Sequence, residues 1–138
     1  MNTCFRFDDP LKKAVLVNTR STYELLKICH QMKKIEVFTH VSTTFCNTNY
    51  PVIEEKIYPA PADWRTMIKI VEQVDEHTLN VFEEKILGNF PNTYTFTKNL
   101  TETLVNEFAK GIPSIILRPS IGKSAIFVCG MYFHCQKL

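Results

Sequence analysis

Residues 94–119 read YTFTKNLTETLVNEFAKGIPSIILRP. Phe96, Leu100, Leu104, Val105 and Phe108 recur at helical spacing, which predicts a helix over 94–110 with one apolar side. Gly111 stops it, because glycine takes positive φ without a side-chain penalty. The apolar run at 112–117 has the pattern of a strand buried on both faces of a parallel sheet. Arg118-Pro119 then ends the strand. A helix running straight into such a strand is the pattern of an α/β domain.

The flanking sequence extends the pattern upstream. Residues 62–87 carry helical periodicity, with Met67, Ile68, Ile70 and Val71, then Leu79, Val81, Phe82 and Ile86, and two helices broken near Asp75 are expected. Residues 43–61 are rich in Thr, Asn and Pro and read as a loop, with at most a short extended piece at 53–57. Residues 35–42 alternate and β-branch as a strand does. Residues 10–33 predict one long helix, bent near Ser21, with Pro10 in its first turn and Asp8 or Asp9 as its cap. The expected fold is therefore α/β, the C-terminal part of a Rossmann-like doubly wound parallel sheet whose N-terminal strands are missing. Residues 112–117 should pair in parallel with 37–41. Two strands alone do not make a stable sheet of this kind, so the chain reads as a piece of a larger domain.

Composition narrows the classes. The chain has 138 residues, 45% hydrophobic and 22% charged, ordinary for a globular domain. A net charge of +2 offers no clustered basic face, so no nucleic-acid partner is expected. The pairs Lys12-Lys13 and Lys33-Lys34 read as solvated helix faces. Cys4, Cys29, Cys46, Cys129 and Cys135 are odd in number and form no CxxC, which points to reduced thiols in an intracellular chain. No metal site is expected, since His134 beside Cys135 lacks convergent partners. Asp8, Asp9 and Lys12 interrupt any leader-like apolar run. The apolar stretch at 125–133 falls far short of the roughly 20 residues a spanning helix needs. Asn99-Leu100-Thr101 matches a glycosylation sequon but lies inside a predicted helix and is discounted.

Four features carry chemistry. Tyr94 and Lys98 stand at i and i+4, one above the other on a helix face. An ammonium beside a phenol favours phenolate, which lets tyrosine move a proton near neutral pH. Chance alone supplies about 0.4 such pairs in a chain of this composition, so the pair needs context. Ser42-Thr43 supplies it, at the C-terminal end of a predicted strand, where open α/β sheets place their ligand site. Either hydroxyl there can hold a substrate carbonyl, or can satisfy the frayed strand end. Asn18 lies within the first helix, where an amide is disfavoured by propensity, and alone reads as an exposed helix asparagine. Arg118-Pro119 alone reads as a strand terminator.

Taken in this order, Asn18, Ser42-Thr43, Tyr94 with Lys98, and Arg118-Pro119 resemble the layout of extended short-chain dehydrogenases/reductases. Longer strings narrow the resemblance. FDDPL at 7–11, HVST at 40–43, EEKIYP at 54–59 and PNTYTFTK at 91–98 look like alcohol-forming fatty acyl-CoA reductases, most closely the insect type. The likeness covers about residues 5–121. It implies a partial NAD(P)-binding reductase domain over 1–121, its catalytic half, followed by a divergent tail over 122–138. It also implies reduction of long-chain fatty acyl-CoA to fatty alcohol with NADPH. By the same resemblance Tyr94 donates the proton, and Lys98 lowers the tyrosine pKa and holds the nicotinamide ribose. Thr43 or Ser42, with Thr43 favoured, bonds the carbonyl, and Asn18 supports a water and proton path. Cofactor contacts are expected from Lys98, Tyr94, Arg118 and Pro119. Full-length relatives would be associated with peroxisomal or endoplasmic reticulum membranes.

The chain also departs from the family. Its glycines are Gly88, Gly111, Gly122 and Gly130, and none forms the GxGxxG turn that seats the cofactor pyrophosphate. Ser21 stands where the family has glycine before Thr22, and the likeness ends after Ile121. The fragment is therefore expected to be inactive alone. Two other readings compete: an extended reductase or epimerase acting on another carbonyl, such as a sugar nucleotide, and a non-catalytic interaction fragment. The sequence assigns no oligomeric state.

Overall fold

The computed structural model describes residues 9–48, 50–120 and 134–137, the last four by backbone alone. The first helical stretch is continuous but not uniform. It runs through α1 (Leu11–Ala14), a π-helical segment (Val15–Arg20) and α2 (Ser21–Cys29). Ser21, the position of the expected bend, is where π geometry returns to α. The helix stops at Cys29, short of residue 33, so Lys33-Lys34 lies on a turn and not on a helix face. Its start is also capped differently. The Leu11 N–H donates to Glu83 Oε2 at 3.1 Å, while the Asp9 carboxylate accepts from Lys13 Nζ at 2.7 Å. Asp8 lies outside the described residues.

β1 (Phe38–Val41) pairs in parallel with β2 (Ser114–Arg118), in the register Phe38↔Ser114 to Val41↔Leu117. The parallel pairing expected from sequence is present, but both strands start later than their patterns do. The Phe38 N–H bonds the Pro113 carbonyl, and Pro113 has no N–H with which to extend the ladder upstream. The connection between them runs through α3 (Trp64–Gln73), α4 (Glu76–Leu87) and α5 (Thr93–Phe108). Asp63, Asp75 and Asn92 cap these helices, each accepting from the backbone N–H three residues on. Each cap contributes about 1 kcal/mol, and Asp75 is where the helical pattern at 62–87 breaks. Gly88 at φ 57 and Gly111 at φ 88 follow α4 and α5 in backbone conformations that glycine takes without strain. Between β1 and α3, Thr44–Asn47 forms a 3-10 turn that the loop reading missed, and no strand forms at 53–57.

One core gathers side chains from every helix: Leu11, Val15, Leu26, Trp64, Leu79, Phe96, Leu100 and Leu104, with Ile116 of β2 beneath them. The helices among the described residues thus lie on one side of the sheet. Ser114, Ile116 and Arg118 are buried on that side, while Ile115 and Leu117 are only half-buried and Thr39 and Val41 are exposed. The expectation that β2 is buried on both faces is corrected accordingly: among the described residues no helix covers the second face.

A third strand, β3 (His134–Lys137), pairs antiparallel with β2 on the edge away from β1. The tail reading of 122–138 did not anticipate it. The side chains of Cys4, Cys129, His134 and Cys135, and the apolar stretch at 125–133, lie outside the described residues. Among the described residues no helix is long and apolar enough to cross a membrane.

Candidate active site

The C-terminal ends of β1 and β2 are tied beyond the ladder itself. The Ser42 N–H donates to Leu117 O at 2.7 Å and the Thr44 N–H to Pro119 O at 3.2 Å. These bonds fix Ser42-Thr43 at the sheet edge where the sequence placed it. Both side chains are buried, but they do different things. Thr43 Oγ1 accepts from the Phe45 N–H at 3.2 Å and caps the 3-10 turn. The Ser42 hydroxyl donates only weakly, to Cys46 Sγ at 3.8 Å.

α5 brings the tyrosine and lysine to the same edge. Lys98 Nζ donates to Val41 O at 2.9 Å and lies 5.8 Å from the centre of the Tyr94 ring. The ammonium is thus held at the last residue of β1, next to Ser42, one helical turn from Tyr94. Burial lowers the Lys98 pKa, while Cys46 and Glu102 pull it upward. His40, also buried, faces this ammonium. Burial first, and the Lys98 charge second, lower its pKa to about 3, so its ring is neutral at ordinary pH, and Nε2 has no partner among the described residues.

Asn18 is buried, not exposed, and sits inside the π-helical segment. Its Nδ2 donates to Thr97 Oγ1 at 2.9 Å, and the Thr97 hydroxyl donates to Thr93 O at 2.7 Å. Thr22 Oγ1 donates to Asn18 O at 2.7 Å, and the Thr19 and Thr101 hydroxyls meet at 3.1 Å. A polar seam therefore joins the π-helical segment to the turn of α5 that carries Tyr94. A π-turn is uncommon and frequently marks a functional site. Ser21, where the resemblance led to an expectation of glycine, is exposed with φ −66, a helical value that any residue adopts.

Arg118 is placed otherwise than its expected cofactor contact requires. Its guanidinium is buried and bonded to Glu102, at 2.8 Å from Nε to Oε1 and 2.6 Å from Nη2 to Oε2. Nη2 also donates to Lys56 O at 2.8 Å and Nη1 to Glu54 O at 3.3 Å. The side chain holds the 54–56 backbone against the sheet, and its donors are committed to these partners. Only the backbone of Arg118-Pro119 remains at the strand exit.

Sequence reasoning missed Glu102, Cys46, Asn47 and Asn99. The signal for Glu102 was present, since it follows Tyr94 and Lys98 at the same four-residue step along α5. Cys46 Sγ lies 3.3 Å from Glu102 Oε1, and burial and Glu102 push the thiol up to about 12, so it keeps its proton. Asn99 is buried in α5 and bonded to Asn47, which removes the sequon as an acceptor. Among the described residues no group of side chains is arranged to hold a metal ion.

Residues 3–124 match the NAD-binding family described as male sterility protein. Three curated proteins are similar over 116 residues, 84% of this chain and 22% of each relative. They are fatty acyl-CoA reductase 1 of Xenopus laevis at 41% identity, fatty acyl-CoA reductase 2 of Bos taurus at 40%, and fatty acyl-CoA reductase wat of Drosophila melanogaster at 39%. No solved structure matches the chain. The chain spans about a fifth of the length of these relatives.

Proposed function

Since this chain belongs to the male sterility protein family of NAD-binding domains, we propose that it is the catalytic half of an NADPH-dependent reductase that converts long-chain fatty acyl-CoA to fatty alcohol. The observation that carries this reading is the position of Lys98: its ammonium is bonded to Val41 O at the end of β1, beside Ser42-Thr43 and one turn from Tyr94. The names of the similar proteins favour an acyl-CoA over a sugar nucleotide as substrate.

The residues divide the work as follows. The cofactor, when bound, supplies hydride to the carbonyl carbon. The Lys98 charge favours the phenolate of Tyr94, so the phenol yields its proton to the carbonyl oxygen more easily. Thr43 Oγ1 already accepts from the Phe45 N–H, which orients the hydroxyl and leaves its proton to donate to the substrate carbonyl. Asn18 acts through Thr97, holding the first turns of α5 in place. The buried neutral His40 adds no second cation to the site.

A full-length reductase carrying these residues tests the assignment through Lys98→Met. Turnover should fall, and the alkaline limb of the reduction profile should move to higher pH, because Tyr94 then holds its proton more tightly. An unchanged rate and profile would remove Lys98 from the mechanism.

A further inference from the structure

The 3-10 turn Thr44–Asn47 brings Cys46, 0% exposed, back against the end of β1. Its sulfur lies 3.0 Å from Thr43 O, 3.3 Å from Glu102 Oε1, 3.1 Å from Asn47 Nδ2 and 3.8 Å from Ser42 Oγ. The chemistry proposed above uses the strand-end hydroxyls but not the thiol beside them.

Two of these neighbours cannot donate. Thr43 O is a carbonyl, and Glu102, paired with Arg118, is a carboxylate. The thiol proton is therefore committed to one or the other of them, and burial, which pushes the thiol up to about 12, keeps that proton in place. The lone pairs of the sulfur are left for the remaining neighbours. Asn47 gives an Nδ2 hydrogen, and its amide is fixed in that orientation because Asn47 Oδ1 accepts from Asn99 Nδ2 at 2.8 Å. Ser42 can then only donate to the sulfur, and its hydroxyl makes no other bond among the described residues. A contact of 3.8 Å to sulfur is weak by itself. Burial supplies the rest: Ser42 is 2% exposed, so water offers its proton little competition.

Thr43 is wired the opposite way. Its Oγ1 accepts from the Phe45 N–H at 3.2 Å, and its own proton is unspent among the described residues. A carbonyl oxygen only accepts, so it binds a hydroxyl whose proton is free. Resting on the reductase reading, we propose that Cys46 is a positioning residue: by accepting the Ser42 proton it holds that hydroxyl inward and leaves Thr43 as the one that meets the substrate carbonyl. Cys46 touches no substrate and acts through Ser42. The choice between two adjacent hydroxyls is thus made by a buried thiol whose own proton direction is set by acceptors on β1 and α5.

The test starts from Thr43→Val in a full-length reductase carrying these residues, which removes the free hydroxyl. Adding Cys46→Ala takes away the sulfur acceptor, so Ser42 can turn its proton to the carbonyl. Turnover should then rise roughly tenfold over Thr43→Val alone, the order expected of one recovered hydrogen bond. Adding Ser42→Ala to that double variant should cancel the gain. A packing role for Cys46 predicts the reverse, a further loss on truncation. No gain, or a gain that survives Ser42→Ala, overturns the proposal. Should the double variant fail to fold, the infrared S–H stretch decides on single variants. The band that disappears in Cys46→Ser should move to higher frequency in Ser42→Ala, because a hydrogen bond accepted by the sulfur strengthens the one it donates. A band that stays at the parental frequency overturns the proposal as well. This readout needs no turnover. Near-parental turnover in Tyr94→Phe would sink the reductase reading and leave the thiol band untouched, whereas a Tyr94 requirement without the Cys46→Ala gain sinks the Cys46 assignment alone.

Discussion

Glu102 and Arg118 form a bidentate ion pair in which the two residues are 1% and 2% exposed, joining α5 to the exit of β2. The same guanidinium binds the carbonyls of Glu54 and Lys56, and the same carboxylate takes the Cys46 contact. One pair therefore holds together the sheet, the helix bearing Tyr94, and the segment between β1 and α3.

Removing one partner of such a pair leaves the other charge buried. Glu102→Leu should cost about 3–5 kcal/mol of stability. The double variant Glu102→Leu with Arg118→Met should recover much of that loss. Urea unfolding of the three proteins measures both effects, and a single variant within 1 kcal/mol of the parent, an order-of-magnitude threshold, would show the pair to be incidental.

His40 gives stability a pH dependence of known sign. Its folded pKa, about 3, lies below the ordinary value of 6.5, lowered by burial and then by Lys98. Between those values the unfolded chain binds the extra proton, so this contribution is full above pH 6.5 and is lost as pH falls toward 3. Each unit of pKa difference corresponds to about 1.4 kcal/mol. His40→Leu should therefore gain on the parent protein as the solution is acidified from pH 7 to pH 4. A stability difference that stays flat across this range would show that the ring is not buried neutral.

The two strand-end hydroxyls are separable because only one caps the 3-10 turn. In a full-length reductase, Thr43→Val should lose about 1 kcal/mol of stability with the cap and most of the turnover with the carbonyl bond. Ser42→Ala removes a weak contact to sulfur and should reduce turnover less. The opposite ranking in kcat would transfer the carbonyl role to Ser42.

The 138-residue chain by itself should show no acyl-CoA-dependent NADPH oxidation. No GxGxxG turn occurs in it to seat a pyrophosphate. One charge-assisted hydrogen bond from Lys98 to the ribose is worth ~1.5–3 kcal/mol, against the roughly 8 kcal/mol that micromolar binding requires. Val37 and Val41 are 47% and 54% exposed at the strand, so low solubility should accompany the inactivity. Measurable turnover by the isolated chain would contradict this.

Much of the fold was legible because periodicity reports burial. The helices at 62–87 and 94–110 and the parallel pairing of the two strands all followed from apolar spacing, and Asp75 announced its own break. Periodicity is silent about hydrogen bonding, and that is where the reading fell short. The π-turn around Asn18 leaves no apolar signature. α5 was read through Phe96, Leu100 and Leu104, yet it also buries Thr97, Asn99, Thr101 and Glu102, whose partners lie far away in sequence. Arg118 looked like a strand terminator or a cofactor contact for the same reason: its partner Glu102 cannot be inferred from spacing alone. The one-sided cover of β2 was equally hidden, since an apolar strand reads alike whether or not a second helical layer packs on it.

Tyr94→Phe in a full-length reductase carrying these residues tests the proposed chemistry most directly, with turnover and NADPH affinity measured on the same protein. The substitution keeps the ring and removes only the hydroxyl that would give up the proton. Turnover should fall by about 10²–10⁴-fold, the usual worth of a positioned acid, while NADPH affinity stays nearly unchanged. Near-parental turnover in the Phe variant would make Tyr94 a structural helix residue and remove it from the centre of the mechanism.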